Sequence, residues 1–451
     1  MTAPPAAYAR RLRSFDATMM VMGGIIGSGI FLNPAIVAQR VDLSALAVGV
    51  WAIGGAVAMA GAFVFAELGA RFPAAGGGYV YLREALHPLL GFLYGWTLLL
   101  VVATGAIAAV AVTFARYAAA LAGLGEGVVA PIAVGAILFL TAVNVLGVRP
   151  GATTQNVFTL LKIGALAALI VAGLLAPAAP LAAAPSTRPE AGGSIASLGV
   201  ALLPVLFAYG GWQQTNFVAA EIVEPRRTLP RALLLGVGGV IALYVLANLA
   251  YVRTLGREGL AGSLAPAADV LRRAAGPAGA TVIAAGIAAS TFGFLSLVIL
   301  VTPRVYQAMA EDGLFFRAAA RLHPRFRTPV GALLVQAAWA VGLTLTGTYG
   351  QLLDYVVFGD WIFFGLAGVT LFVLRRRAGR AGERNETQAE FRAPGYPWVP
   401  ALFVAAAAYA VGSSVLSSPR NAAIGGGLIA LGVPAFLLWK KRGQAPFPER
   451  K

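Results

Sequence analysis

Few side chains in this sequence are equipped for covalent or acid-base chemistry. There is no cysteine, and the two histidines, His87 and His323, each precede a proline at the edge of an apolar run. Thiolate nucleophiles, Cys-based metal sites and disulfides are excluded, and the clustered acid-base groups of an enzyme site are missing, so neither catalysis nor a metal or other cofactor is expected. What stands out is glycine in apolar surroundings: Gly23, Gly24, Gly27 and Gly29 in MGGIIGSGIFLNP, and Gly210 and Gly211 in LFAYGGWQQTNF. Two charges also lie inside apolar runs, Lys162 in FTLLKIGALAALI and Asp360 in VVFGDWIFF.

The elements that carry these residues follow from composition. The 451 residues are 59% hydrophobic and 12% charged, with a mean hydropathy of +0.79. Apolar runs of about 20 residues recur along the whole chain, each long enough to cross about 30 Å of hydrocarbon as a helix with its backbone bonded internally. The reading is an all-α integral membrane protein of about twelve spans: 15–39, 44–71, 88–117, 126–147, 153–176, 197–223, 232–252, 277–310, 330–347, 352–376, 395–415 and 421–440. The net charge of +16 falls in the gaps between spans, so it reads as membrane topology and not as a nucleic-acid surface. With the N-terminus inside, 25 of the 34 Lys and Arg lie on one side and 8 on the other, which predicts cytoplasmic termini, with tails at 1–14 and 441–451. The loops 72–87 and 311–329 read as amphipathic cytoplasmic segments. The external loop 253–276 holds four arginines against that trend, with Glu258 and Asp269 as candidate partners.

An interrupted helix is costly in a bilayer, because its freed N–H and C=O groups have no water to bond. Glycine clusters in the first and sixth spans, each opening one five-helix half, therefore point to an inverted-repeat transporter with its site near the midplane; close helix packing on small residues is the other reading of such clusters. A broken helix offers amides with a positive dipole end to one side and carbonyls with a negative end to the other, which suits a zwitterion. The amides after Gly27 and the Ser28 hydroxyl would take its carboxylate. Carbonyls near Ile25, Phe207 and Gly210 would take its ammonium.

GGIIGSGIF followed by a proline, FVFAELG, LTAVNVLGV, NVFTLLKIGAL, FAYGGWQQTNFVAAEIVEPRRTLPRA and AMAEDGLFF together resemble the amino acid-polyamine-organocation superfamily. Within it they are most similar to the L-type amino acid transporters and the bacterial alanine-serine-cysteine exchangers, over nearly the whole chain. The resemblance implies a LeuT-type five-plus-five inverted repeat with broken helices 1 and 6, its halves at 15–176 and 197–376, two further helices within 395–440, and exchange of neutral amino acids. It places Ile25, Ser28 and Gly29 on the substrate backbone and Phe207 and Gly210 on its ammonium, with Phe207 also a gate. Gln213, after Trp212, stands where the family carries an amide; Gly27 and Gly211 complete the two breaks.

An ammonium within a span marks an ion or substrate pathway, or else snorkels to the membrane edge. The resemblance implies that Lys162 stands where sodium-coupled relatives bind the ion, with Ser290 and Thr291 as hydroxyl partners, and so predicts sodium independence. Asp360 replaces a residue more often uncharged in the resembling transporters. It would face the side-chain pocket, bind a proton or pair with another helix. Glu67 with Arg71, and Glu221 and Glu224 with Arg226 and Arg227, read as local salt bridges. Competing functions are a proton-coupled importer of amino acids or polyamines and a nutrient receptor that does not transport. The L-type family often works with a disulfide-linked glycoprotein, a bond this chain cannot make. The expected partners are therefore small-molecule amino acids and the lipid of a cell (inner) membrane.

Overall fold

The computed structural model describes residues 7–179, 195–347, 349–380 and 390–442, and among them the helices are joined by turns and loops with one isolated bridge and no strand. The expected first span is two helices, α1 (Ser14–Ile25) and α2 (Gly29–Arg40), bent by 42°. After α3 (Ser44–Arg71) come a short helix α4 (Gly78–Ala85) and then α5 (Pro88–Leu121), α6 (Glu126–Val145) and α7 (Val148–Leu175). The expected sixth span is α8 (Ile195–Ala208), a turn at 209–211, and a 3-10 segment, Trp212–Glu221. It is followed by α9 (Pro225–Ala261), α10 (Pro266–Ala275), α11 (Pro277–Glu311), α12 (Val330–Thr346), α13 (Tyr349–Arg380), α14 (Trp398–Ser417) and α15 (Pro419–Lys441).

Among the described residues, nine helices are long and apolar enough to cross a membrane, and the bent pair makes a tenth. The all-helical membrane reading holds. The other two expected spans fall short by length: α12 has 17 residues, and α8 has 14 because the chain leaves the helix at Gly210 and Gly211. Within α5, residues Leu98–Val102 form a π-turn, a feature that widens the backbone spiral and recurs at functional sites. Helix α9 packs along α3 and against α1, and α11 packs between α5 and α7.

The segments between spans are more built than the sequence suggested. α4, expected as an interfacial segment, tucks Tyr79 and Tyr81 fully inside, where their hydroxyls donate to Asp312 (2.6 Å) and Asn216 (2.9 Å). Arg83 joins Asp312 as well, and that carboxylate holds the guanidinium pKa above its ordinary value against the opposing effect of burial. In the arginine-rich stretch, Arg257 approaches Glu258 at 3.5 Å and Arg272 meets Asp269 at 3.2 Å, while Arg253 donates to the Leu174 carbonyl and Arg273 to that of Thr254. Arg253 thus caps the C-terminal end of α7 and Arg273 meets a carbonyl next to the Gly256 break inside α9, uses that composition does not display. His87 and His323 both accept backbone N–H groups in loops, from Leu89 and from Arg325 and Phe326.

Glu67 forms the expected pair with Arg71 at 2.7 Å, but it also accepts from Arg375 of α13 and from the Ala393 amide at 2.8 Å. One buried carboxylate therefore ties α3 to α13 and to the chain leading into α14. Glu67→Ala would leave two guanidinium groups and an amide without their acceptor, a loss on the order of 3–5 kcal/mol for a buried pair broken on one side. The expected result is a fall of roughly 5 °C or more in the melting temperature of the detergent-purified protein; an unchanged melting curve would show the cluster to be dispensable.

Candidate substrate site

The two breaks meet. Gly211 has φ +104, a conformation costly for any side chain, and a Cβ there would lie 2.2 Å from the Gly24 carbonyl oxygen. A Cβ on Gly24 would lie 2.7 Å from the Gly211 oxygen. Both positions need glycine because backbone passes directly over backbone. A Cβ on Gly29 would lie 3.0 Å from the Ala208 Cβ, so α2 and α8 leave the breaks side by side.

The freed backbone groups of the first break have specific partners. Lys162 of α7 is fully buried and donates to the Gly23 and Ile26 carbonyls at 2.7 and 2.9 Å. Ser290 of α11 reaches the same Ile26 oxygen at 3.4 Å, whereas the Thr291 hydroxyl donates to Ile287 and Ala288 of its own helix. The lysine does not snorkel; it clips α1 to α7 across the break. The Tyr244 hydroxyl of α9 donates to the Ile25 carbonyl at 2.9 Å, and Tyr251 donates to that of Ile30 at 3.2 Å. At the second break Gly210 N bonds the Phe207 carbonyl (3.0 Å), and the Gln213 side chain accepts from Gly211 N (3.0 Å).

Gly27, Ser28, Gly29 and Gly210 are half-buried, Ile25, Gly211 and Gln213 are buried, and Phe207 is 44% exposed. Both breaks therefore open toward the side where Phe207 stands. The structure brings together every sequence-derived site residue of spans 1 and 6, together with Lys162 and Ser290. Trp361 and Phe364 of α13, next to and one turn beyond Asp360, line a small cavity with Tyr209, Gly210 and Trp212.

The other end is closed. Glu221, expected to pair locally with Arg226 or Arg227, is buried instead against Arg304 of α11 at 2.7 Å, and Arg227 meets Glu390 at 3.1 Å. The chain before α1 lies across this pair: Arg11 N and Leu12 N donate to the Glu221 carbonyl at 2.8 and 3.0 Å, and Val223 N donates to Leu12 O at 2.8 Å. Tyr8 stacks near the Arg304 guanidinium and donates to Gln307 at 3.3 Å. Beside this strap, Asp16 accepts from Asn156 of α7 at 2.7 Å, at the rim of a polar crevice of about 200 Å³ bordered by Arg11, Arg13 and Arg149.

Tyr244 and Tyr251, the Glu221–Arg304 pair and the strap were not identified from sequence. The tyrosines leave a trace there: YVLANLAY places two phenols seven residues apart on one face of an apolar span, which asks what their hydroxyls bond. The strap leaves none, since a single Leu12–Ile222 pairing carries no alternating pattern.

Two interrupted apolar spans, touching at glycine and held by a buried lysine and tyrosines, define a membrane transporter and not an enzyme. A family model described as amino acid permease matches residues 12–438, and the chain belongs to that family. It is 32% identical over 432 residues to the serine/threonine exchanger SteT of Bacillus subtilis (strain 168), covering 94% of this chain and 96% of that one. It is 30% identical to the human b(0,+)-type amino acid transporter 1, covering 91% of this chain and 83% of that one, and 29% identical to the mouse Asc-type amino acid transporter 1, covering 97% and 83%. The resemblance read from the motifs is borne out; one of these relatives is named an exchanger and the other two amino acid transporters.

Because the chain has no cysteine, a single introduced thiol reports on the closed end. Leu12 is 1% exposed. In the Leu12→Cys protein, adding Arg304→Ala is expected to speed maleimide labelling at least about tenfold, the factor that corresponds to about 1.4 kcal/mol of lost closure. Equal rates with and without Arg304 would mean that the buried pair does not hold the strap.

Proposed function

We propose that this protein is a sodium-independent amino acid exchanger that works by alternating access around the two breaks. The observation that carries the reading is Lys162, whose ammonium bridges the Gly23 and Ile26 carbonyls, the kind of acceptors that would otherwise coordinate a cation. An ammonium at that place performs the tether without a sodium ion and leaves no sodium gradient to couple. The relative named as a serine/threonine exchanger supports the same reading.

In this proposal a neutral amino acid lies against the breaks. Its carboxylate takes the amides following Gly27, with the Ser28 hydroxyl and Gly29 beside them. Its ammonium takes carbonyls at Ile25, Phe207 and Gly210; the Phe207 carbonyl accepts from Gly210 N and keeps a second lone pair, whereas the Ile25 carbonyl accepts from both Tyr244 and Gly27 N, so the ammonium displaces one of these two donors. Gly211 allows the close approach, Gln213 fixes the turn, and Phe207 is the gate on the open side. The core is a LeuT-type inverted repeat with halves at 15–176 and 197–376. The charge bias puts both termini in the cytoplasm of a cell membrane, so the Tyr8–Leu12 strap closes the cytoplasmic end and no disulfide-linked subunit takes part.

Purified protein in liposomes preloaded with unlabelled serine or alanine is expected to take up labelled alanine. Empty liposomes should take up little, and neither sodium nor a proton gradient should change the rate. Uptake into empty vesicles driven by either ion would overturn the exchange reading. Lys162→Ala leaves the Gly23 carbonyl without its donor, about 1–3 kcal/mol, and the Ile26 carbonyl with only the longer Ser290 contact, and is expected to lower exchange at least about tenfold in protein that still inserts and purifies.

A further inference from the structure

Three guanidinium groups border the crevice beside the strap, and none has a carboxylate to itself. Arg11, Arg13 and Arg149 form no ion pair among the described residues. The acid on the same wall, Asp16, is already committed: one oxygen accepts from Asn156 of α7 at 2.7 Å and the other from the Arg13 amide at 2.9 Å. Three positive charges therefore face one bonded carboxylate around about 200 Å³ of polar space. Thr153 adds an exposed hydroxyl to that wall.

These groups are presented by backbone that is itself fixed. The amides of Arg11 and Leu12 are pinned to the Glu221 carbonyl, and in this extended stretch Leu12 is buried while Arg11 and Arg13 on either side of it are exposed. Arg149 stands in the first turn of α7, which packs on α1 and is tied to its start by Asn156 and Asp16. The amide ends of both helices add to the positive field there. The place also lies at the edge of the hydrocarbon. Phe15 of α1 and Leu146, just before α7, are each 55% exposed, and Val157, Leu160 and Leu161 continue an exposed apolar face along α7.

The guanidinium fork matches the oxygens of a phosphate, and a basic pocket between helices at a membrane boundary suits the headgroup of an acidic lipid. We propose that this crevice binds the phosphate headgroup of an acidic phospholipid from the leaflet on the strap side, with its acyl chains along Phe15 and the exposed face of α7. A free phosphate offers the same oxygens without the chains; the apolar surface beside the crevice is what favours the lipid. A bound headgroup joins the guanidinium groups next to the strap to that of α7. The site depends on the membrane-spanning fold and not on which solute is carried.

The test is thermal unfolding of the detergent-purified protein with phosphatidylglycerol or phosphatidylcholine added. Phosphatidylglycerol is expected to raise the midpoint at least about 3 °C more than phosphatidylcholine does, and glycerol phosphate at the same concentration to leave it unmoved. Thr153→Glu, which sets a carboxylate in the crevice at an exposed position, is expected to cancel the difference between the lipids, as is Arg11→Gln combined with Arg149→Gln. Arg376→Gln lowers the net charge by the same unit on α13, which packs on α3, α4, α5 and α14, and is expected to keep the difference. Equal midpoints with the two lipids overturn the proposal. So does a difference that survives Thr153→Glu, or one that Arg376→Gln abolishes as well, which would mark general attraction to a basic protein. A rise with glycerol phosphate equal to that with the lipid would assign the crevice to a free anion and overturn the lipid. Thr153→Glu removes no packed side chain, so it decides even where the arginine variant fails to fold.

Discussion

The constraint on which the rest of this structure depends is the cost of an unbonded peptide group inside a bilayer. A helix that stops and restarts within the hydrocarbon frees several donors and acceptors, and each must find a partner in the protein or in a ligand. Here the carbonyls of Gly23, Ile25 and Ile26 are met by Lys162, Tyr244 and Ser290, and the Gly211 amide by Gln213. The placement of α7, α9 and α11 around α1 follows from that need. The groups left on the open side are then available to a substrate.

Legibility in the sequence tracked the range of each interaction. The breaks were visible because glycine clusters inside apolar runs have few other uses, and the buried lysine because charge is conspicuous among leucines. Their meeting at Gly24 and Gly211 is a contact between residues 187 positions apart, which no local pattern encodes. The Glu221–Arg304 pair shows the same limit from the other direction. Arg226 and Arg227 are near in sequence, but the φ of +47 at Glu224 turns the chain, and the distant arginine is the one that is buried with the carboxylate. Composition likewise misread the α4 segment, since tyrosines at a boundary look interfacial until Asp312 and Asn216 are seen to receive their hydroxyls.

Charge is used sparingly and in two ways. Glu67 with its two arginines, and Arg83 with Asp312, fasten helix ends near the polar boundary, where water can share the cost of desolvation. Lys162 and Asp360 lie deeper and belong to no protein ion pair among the described residues. Lys162 spends its charge on backbone carbonyls.

The α1 and 212–222 ends of the two broken spans are joined at two places, by the crossing of Gly24 on Gly211 and by the bridge from Leu12 to Ile222. Two attachment points on the same pair of segments remove most of their freedom to pivot relative to one another. The α1 half-helix and the 212–221 segment are thereby yoked into a single lever, and residues 26–28 and 209–211, where each leaves its partner helix, are its paired hinges. Movement of one half-helix must drag the other, so the site changes shape at both breaks in one step instead of one after the other.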